Sequence, residues 1–236
     1  RYIDRNAIAF LHHFCHLFTS LPLTLFIWTR NDNIWPMIGK NINGIHLPVD
    51  FFHRLRQSVP PILNECPSLR VFASFFDYFS TEFPADDSAA ASDGQAVVKW
   101  LFTPRPDGVP KVFKCLLLKD DASLVTVVDA FKTAFLDETS SPVNFIVFIS
   151  FHWPFADAVV LFELTNESTR EQLTLKKTNE YYDHFLLVRC PIARDADKWA
   201  KWEEEAIGWQ MRDQCNKIEI RIDDFLAQHR AQVITH

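Results

Sequence analysis

The sequence predicts an α/β fold, an irregular leucine-rich-repeat-like stack of helix–strand units followed by a C-terminal β-hairpin, a strand and a Trp-rich helix. Three observations lead to it. Apolar runs rich in β-branched and aromatic residues recur along the first 155 residues, and helical spacing or helix punctuation precedes each of them. Beyond residue 155 the pattern changes to alternation, as in "AVVLFELTN" and "EQLTLKKTN". The chain is 48% hydrophobic with 22 Phe and 7 Trp in 236 residues, enough for a large aromatic core.

The elements follow in order. Ile8, Leu11, Cys15 and Phe18 make one apolar helical face, and after Pro22 "LTLFIW" reads as a buried strand. A short helix is expected near Pro36, a turn from Gly39 to Gly44, and a short strand from Ile45 to Leu47. Phe52, Leu55, Val59 and Ile62 give the next helical face, which Pro60 and Pro61 must bend or restart because neither can donate within a helix. "SLRVFASF" is a strand, and the acidic, aperiodic "FDYFSTEFPADDSAAASDG" is a long surface loop. Asp93 is placed to cap "GQAVVKWLF", which "TPRPDGVP" ends before the strand "KVFKCLLL". Ser123 is placed to cap a helix whose stripe is Leu124, Val127, Val128, Phe131 and Phe135. "VNFIVFISF" is apolar at nearly every position, as a strand covered on both faces must be.

Strand starts near residues 23, 45, 69, 112 and 144 imply parallel pairing. The first two spacings fall in the roughly 20–29-residue range of leucine-rich repeats, although the repeat signature itself is absent. An open α/β sheet is the alternative. After the hairpin, "DHFLLVRC" is a strand and Asp195 starts a helix on which Trp199, Trp202, Ala206 and Trp209 share a face; "NKIEIRID" is a last strand. The organisation expected is a repeat-like region over 1–155, a hairpin with a helix packed on it over 156–224, and a polar tail over 225–236.

Composition narrows the function classes. A net charge of −6 with 24 basic residues gives no electrostatic footprint for nucleic acid. No apolar run reaches the ~20 residues that span a bilayer. Cysteines 15, 66, 115, 190 and 215 are odd in number and include no CxxC pair, which fits a reduced, intracellular protein of cytoplasm or nucleus. The match of Asn166-Glu167-Ser168 to a glycosylation acceptor is read as chance. The chain starts at Arg1, already inside a pattern, and is expected to be a fragment or a processed product.

Each candidate site also has a plainer structural role. Cys66 and Cys190 each precede a proline at an element boundary, where Pro stops helices and restrains its neighbour, so both read as joint residues. His12 and His16 are four apart on a helix, a spacing that zinc helices use, but His13 stands where a metalloprotease needs Glu; partly exposed helix histidines are the reading, with a hydrolase or metal enzyme on this pair as the functional alternative. The doublets Asp86-Asp87, Asp120-Asp121 and Asp223-Asp224 read as turn and cap acids. No nucleophile elbow or phosphate loop is present, and no catalytic, cofactor-binding or metal-binding residue is assigned.

"YIDRNAIAFL", "FPADDSAAASDGQAVVKWLFTPRPDGVPK", "PVNFIVFI", "FELTNESTREQLTLKK" and "LLVRCPIARDADKWAKWEEEAIGW", in this order, resemble the C-terminal region of the nematode F-box protein family, from about Tyr2 to Ile222. The resemblance implies a non-enzymatic region that holds a target protein for an SCF-type ubiquitin ligase, with the adaptor docked on an F-box outside this chain. With the charge, hydropathy and motif readings above, no nucleic-acid or membrane partner and no cofactor is expected. A diverged remnant without a ligase role is a third possibility.

Overall fold

Nine strands form one mixed sheet in the order β6-β7-β8-β5-β4-β3-β2-β1-β9. The computed structural model describes residues 23–28, 40, 42–47, 49–58, 60–74, 81–117, 121–139, 142–151, 160–178, 184–209 and 217–221, and structural statements concern these residues. The first five strands are β1 (Leu23–Trp28), β2 (Ile42–His46), β3 (Val71–Ser74), β4 (Lys111–Leu117) and β5 (Phe145–Phe151). They are parallel and neighbour one another in chain order. Strand β9 (Lys217–Arg221) adds in parallel outside β1. At the other end β8 (His184–Pro191) runs antiparallel to β5, followed by the hairpin of β7 (Glu171–Lys177) and β6 (Phe162–Asn166).

The period of two sends alternate residues of each strand to opposite faces, and both faces are apolar. On one face, Phe72, Phe113, Phe145, Val147, Leu173 and Leu187 meet three helices. These are α1 (Val49–Ser58), α2 (Asp93–Leu101) and α3 (Asp121–Asp137), which contribute Phe52, Trp100 and Phe131 among others. Phe72 stacks on Phe113 at 5.7 Å and meets Phe52 at 4.9 Å, so adjacent units share one aromatic layer. On the other face, Val71, Val112, Ile146, Leu186 and Val188 lie under α4 (Ala196–Gly208). Trp199 and Ala206 are buried there, and Trp202 and Trp209 pack half-buried against them. Each fully buried Phe or Ile contributes roughly 1.5–3 kcal/mol through apolar area removed from water. Asp195 caps α4 as its sequence suggested, accepting from the Lys198 amide at 3.0 Å.

Several boundaries differ from the sequence reading, each for a local reason. Gly44 lies inside β2 rather than in the preceding turn; Leu23 pairs with Ile42 and Thr24 with Gly44, so the ladder slips by one residue beside it. Ser92, not Asp93, caps α2: its hydroxyl accepts from the Gln95 amide at 3.1 Å while Gln95 Oε1 accepts from the Ser92 amide at 2.9 Å. Helix α3 begins at Asp121, which puts Ser123 inside its first turn. Asp107-Gly108 makes the turn before β4, and Gly108 takes φ 68°, a conformation that a side chain disfavours. The helix near Pro36, Val59 and the tail 225–236 lie outside the described residues.

Strand β4 carries two lysines three apart, and they leave the sheet on opposite faces. Lys111 donates its ammonium to the Trp100 carbonyl in the last turn of α2. Lys114 donates to the Ile207 and Trp209 carbonyls at the end of α4, at 3.0 and 2.8 Å. Helix C-termini leave carbonyls without intrahelical donors and concentrate negative partial charge, so each lysine closes a helix end. Both are buried. Burial, with Arg105 nearby, pushes the Lys111 pKa down to about 7, and burial pushes that of Lys114 down to about 8.

Between these values and the ordinary lysine value of 10.5, the folded protein binds fewer protons than the unfolded chain, so stability rises with pH. The buried thiols act in the opposite sense above their ordinary value of 9.0, because burial raises Cys66 and Cys115 to about 12 and Cys190 to about 11. The expected outcome is a melting temperature that climbs from pH 7 to pH 9 and then stops climbing. A thermal-melt series at fixed ionic strength checks it, and the Lys111→Met/Lys114→Met double variant should lose the rise.

Candidate functional site

Arg56 stands in the last turn of α1, where a cation suits the helix dipole. Its side chain is buried and reaches out of the helix into the loop over residues 81–92. It donates to the Ser88 carbonyl at 3.0 Å, the Ala91 carbonyl at 3.0 Å and Asp93 Oδ1 at 2.8 Å. The planar guanidinium, with five donors in fixed directions, suits two loop carbonyls and the carboxylate that opens α2. Asp93, free of the capping role, also lies 3.2 Å from exposed His53.

The loop has further ties. Asn64 donates to Asp87 at 2.6 Å, and Gln95 Nε2 donates to the Pro84 carbonyl at 3.1 Å. Asp86 accepts from the Ser88 amide at 2.9 Å and from its hydroxyl at 3.0 Å. Those two bonds, the amide first, hold the Asp86 carboxyl below the usual carboxylate range. Phe83 plugs the loop into the core between Phe102 and Phe131, at 5.7 and 5.6 Å. The result is a fixed tip of Ser88, Ala89 and Ala90, exposed, on a stretch that carries Glu82, Asp86, Asp87 and Asp93 and no basic residue. Such a loop on a rigid scaffold offers shape and negative charge to a partner. Of the expected surface loop, residues 76–80 lie outside the described residues, and the described part before α2 is anchored at Phe83, Pro84, Asp87, Ser88 and Ala91.

The other candidates are placed as follows. Cys66 is buried at the joint after α1; the Leu69 amide donates to its carbonyl at 2.9 Å, and burial, with Glu65 adjacent, disfavours its thiolate. Cys190 is buried at the end of β8, with Arg194 at 3.0 Å from its sulfur. The Asn166 side chain donates to the Phe135 and Glu138 carbonyls at 2.7 and 2.9 Å, so it fastens the end of α3 and has no room for a glycan. His12, His16, Cys15, Cys215, Asp120, Asp223 and Asp224 lie outside the described residues, as does the side chain of Asp121. Among the described residues no group of three or more His, Cys, Asp or Glu is placed to hold a metal ion. No described helix is long and apolar enough to cross a membrane.

Two residues that sequence reading did not single out are the most deeply placed charges. Arg189 and Glu171 are both 0% exposed and 2.6 Å apart. Glu171 also accepts from the Val143 amide at 2.6 Å, and the Arg189 guanidinium lies 5.2 and 5.3 Å from the Phe102 and Phe135 rings. The pair pins the entry to β5 against the hairpin. Its signal in sequence is faint: Glu171 opens β7, where charge is ordinary, and Arg189 lies within β8 only two residues before its end.

No family model matches this chain, and neither curated proteins nor solved structures give a match.

Arg56→Met removes the loop's main anchor, leaves the Ser88 and Ala91 carbonyls without this donor and leaves Asp93 with His53 alone among the described residues. The expected cost is roughly 3 kcal/mol. Amide hydrogen exchange over residues 83–92 should quicken well before global unfolding does, while the β4 and β5 amides keep their protection. Unchanged exchange in the loop would show that Phe83 and Gln95 suffice to hold it.

Proposed function

We propose that this chain is the protein-recognition region of an F-box protein, presenting a target to an SCF-type ubiquitin ligase from cytoplasm or nucleus, without chemistry of its own. The observation that carries the reading is the sequence resemblance, concentrated in "LLVRCPI" and "KWAKWEEEAI". The fold supports it in one respect. Strands β1 to β5 advance side by side in chain order, with α1, α2 and α3 all on one face, which is how a leucine-rich-repeat-like coil is wound. Helix α4 and the hairpin then close the coil on its strand side and at one end. The anchored acidic loop is the surface assigned to the target, and its charge selects a basic partner segment.

The resemblance implies that the adaptor docks on an F-box upstream of this segment. The 236-residue chain should therefore fail to retain the SCF adaptor in a pull-down, and a product extended upstream should retain it. Both forms should retain the same ubiquitinated proteins. Adaptor bound by the 236-residue chain would relocate the docking element, and no adaptor bound by either form would remove the ligase assignment. Metal analysis of the purified chain separates this reading from a metal enzyme built on His12 and His16.

A further inference from the structure

We propose that β6 is the seam of a weak homodimer, in which two copies join their sheets edge to edge about a two-fold axis at Leu164. Among the described residues β6 ends the sheet and pairs on one side only, with β7. Natural edges are commonly blunted by proline, lysine or a bulge. "FELTN" has neither residue, and its ladder with β7 runs without a slip.

The edge is flanked by exposed apolar side chains at both of its ends. Val160 is 76% and Leu161 51% exposed at the start of β6. Leu136, 55% exposed, belongs to α3. Lys132 lies 4.5 Å from the centre of the Phe162 ring, and the Phe135 and Glu138 carbonyls meet Asn166. Helix α3 therefore runs along β6 in the same direction, and Leu136, four residues after Lys132, is on the β6 side near the strand's far end. An antiparallel two-fold exchanges the ends, so Val160 of one copy comes beside Leu136 of the other, twice over.

Charge selects the register. An antiparallel ladder pairs residues whose backbone groups point the same way, which restricts the axis to a residue position. Centred on Glu163, the two copies of that carboxylate would face each other. Centred on Thr165, Glu163 would face Glu167 of the second copy. Centred on Leu164, Glu163 faces Thr165, Phe162 faces Asn166 and Leu161 faces Glu167. Like charges directly opposite are destabilising, so the Leu164 register is preferred to these two, and it is the one that pairs Phe162–Asn166 with its own copy over the whole strand. The patch is self-complementary, as a closed two-fold interface must be.

The seam is short and belongs to the weak interface class, so the dimer should appear at roughly 100 μM. Sedimentation equilibrium on the 236-residue chain tests it. Glu163 and Thr165 are exposed, so the substitutions address the seam. Thr165→Glu, which sets a carboxylate against Glu163 at two symmetric places, should raise the dimer dissociation constant roughly tenfold. Thr165→Lys should lower it, and the Glu163→Lys/Thr165→Glu double variant should bring dimerisation back. A monomer at every concentration overturns the proposal. So does a dimer whose strength ignores the charge at 163 and 165.

Discussion

The architecture depends on how β4 is tied to what lies above and below it. A strand in the middle of a sheet covered on both faces has no wet side, yet "KVFKCLL" brings two ammonium groups into it. Each finds the one kind of partner that a packed interior offers a cation without a counter-charge, the carbonyls at a helix end. Lys111 thereby fixes where α2 stops on one face, and Lys114 fixes where α4 stops on the other. Rings add to the hold: Lys111 lies 5.0 Å from the Trp100 ring centre and Lys114 4.5 Å from that of Phe148. The helices' positions are set by polar contacts of definite direction, while apolar area supplies the bulk of the attraction.

Other charged groups of the fold are used in the same way. Arg189 and Glu171 join β8 to β7, and through the Val143 amide to the entry of β5. Lys176 and Arg194 both reach Glu203 on α4, and Arg70 reaches Glu205, so α4 is held along its length as well as at its end. A buried ion pair is weak evidence of net stability, since desolvation offsets much of the attraction; its firmer consequence is that a misplaced partner is costly. These pairs therefore specify register and helix placement. Lys111, Lys114, Arg189 and Glu171 are thus taken up in structural contacts, and the recognition role proposed from the sequence would use the surface that this frame holds still.

Much of the fold was legible in the sequence because it follows from periodicity. Val128, Phe131 and Phe135 repeat at helical spacing and are buried on one side of α3; "FIVFI" is apolar throughout and is covered on both faces. The parallel order of the first five strands followed from helical segments between them. What escaped was the partner of each charged residue. Lysines three apart on a strand cannot share a face, and with apolar residues on both faces at least one had to be buried, a signal present in "KVFKC". Ser92 and Gln95 have capping-box spacing, which the adjacent Asp93 obscured, and Asp93 itself is taken by Arg56 from another helix. That contact spans 37 residues of chain, and no local pattern encodes it. The anchoring of the acidic loop was illegible for the same reason, since its composition is that of any solvated loop.

The claim that two β4 lysines set the ends of helices on opposite faces has a direct measurement. Hydrogen-exchange mass spectrometry on Lys111→Met and Lys114→Met, compared with the unaltered protein under native conditions, reads each helix end separately. Lys114→Met should speed exchange in the last turn of α4, residues 205–209, and leave α2 as it was. Lys111→Met should do the converse at residues 99–103. Loss of protection spread equally over both helices, or unchanged protection at both ends, would contradict the account and leave apolar packing alone to place them.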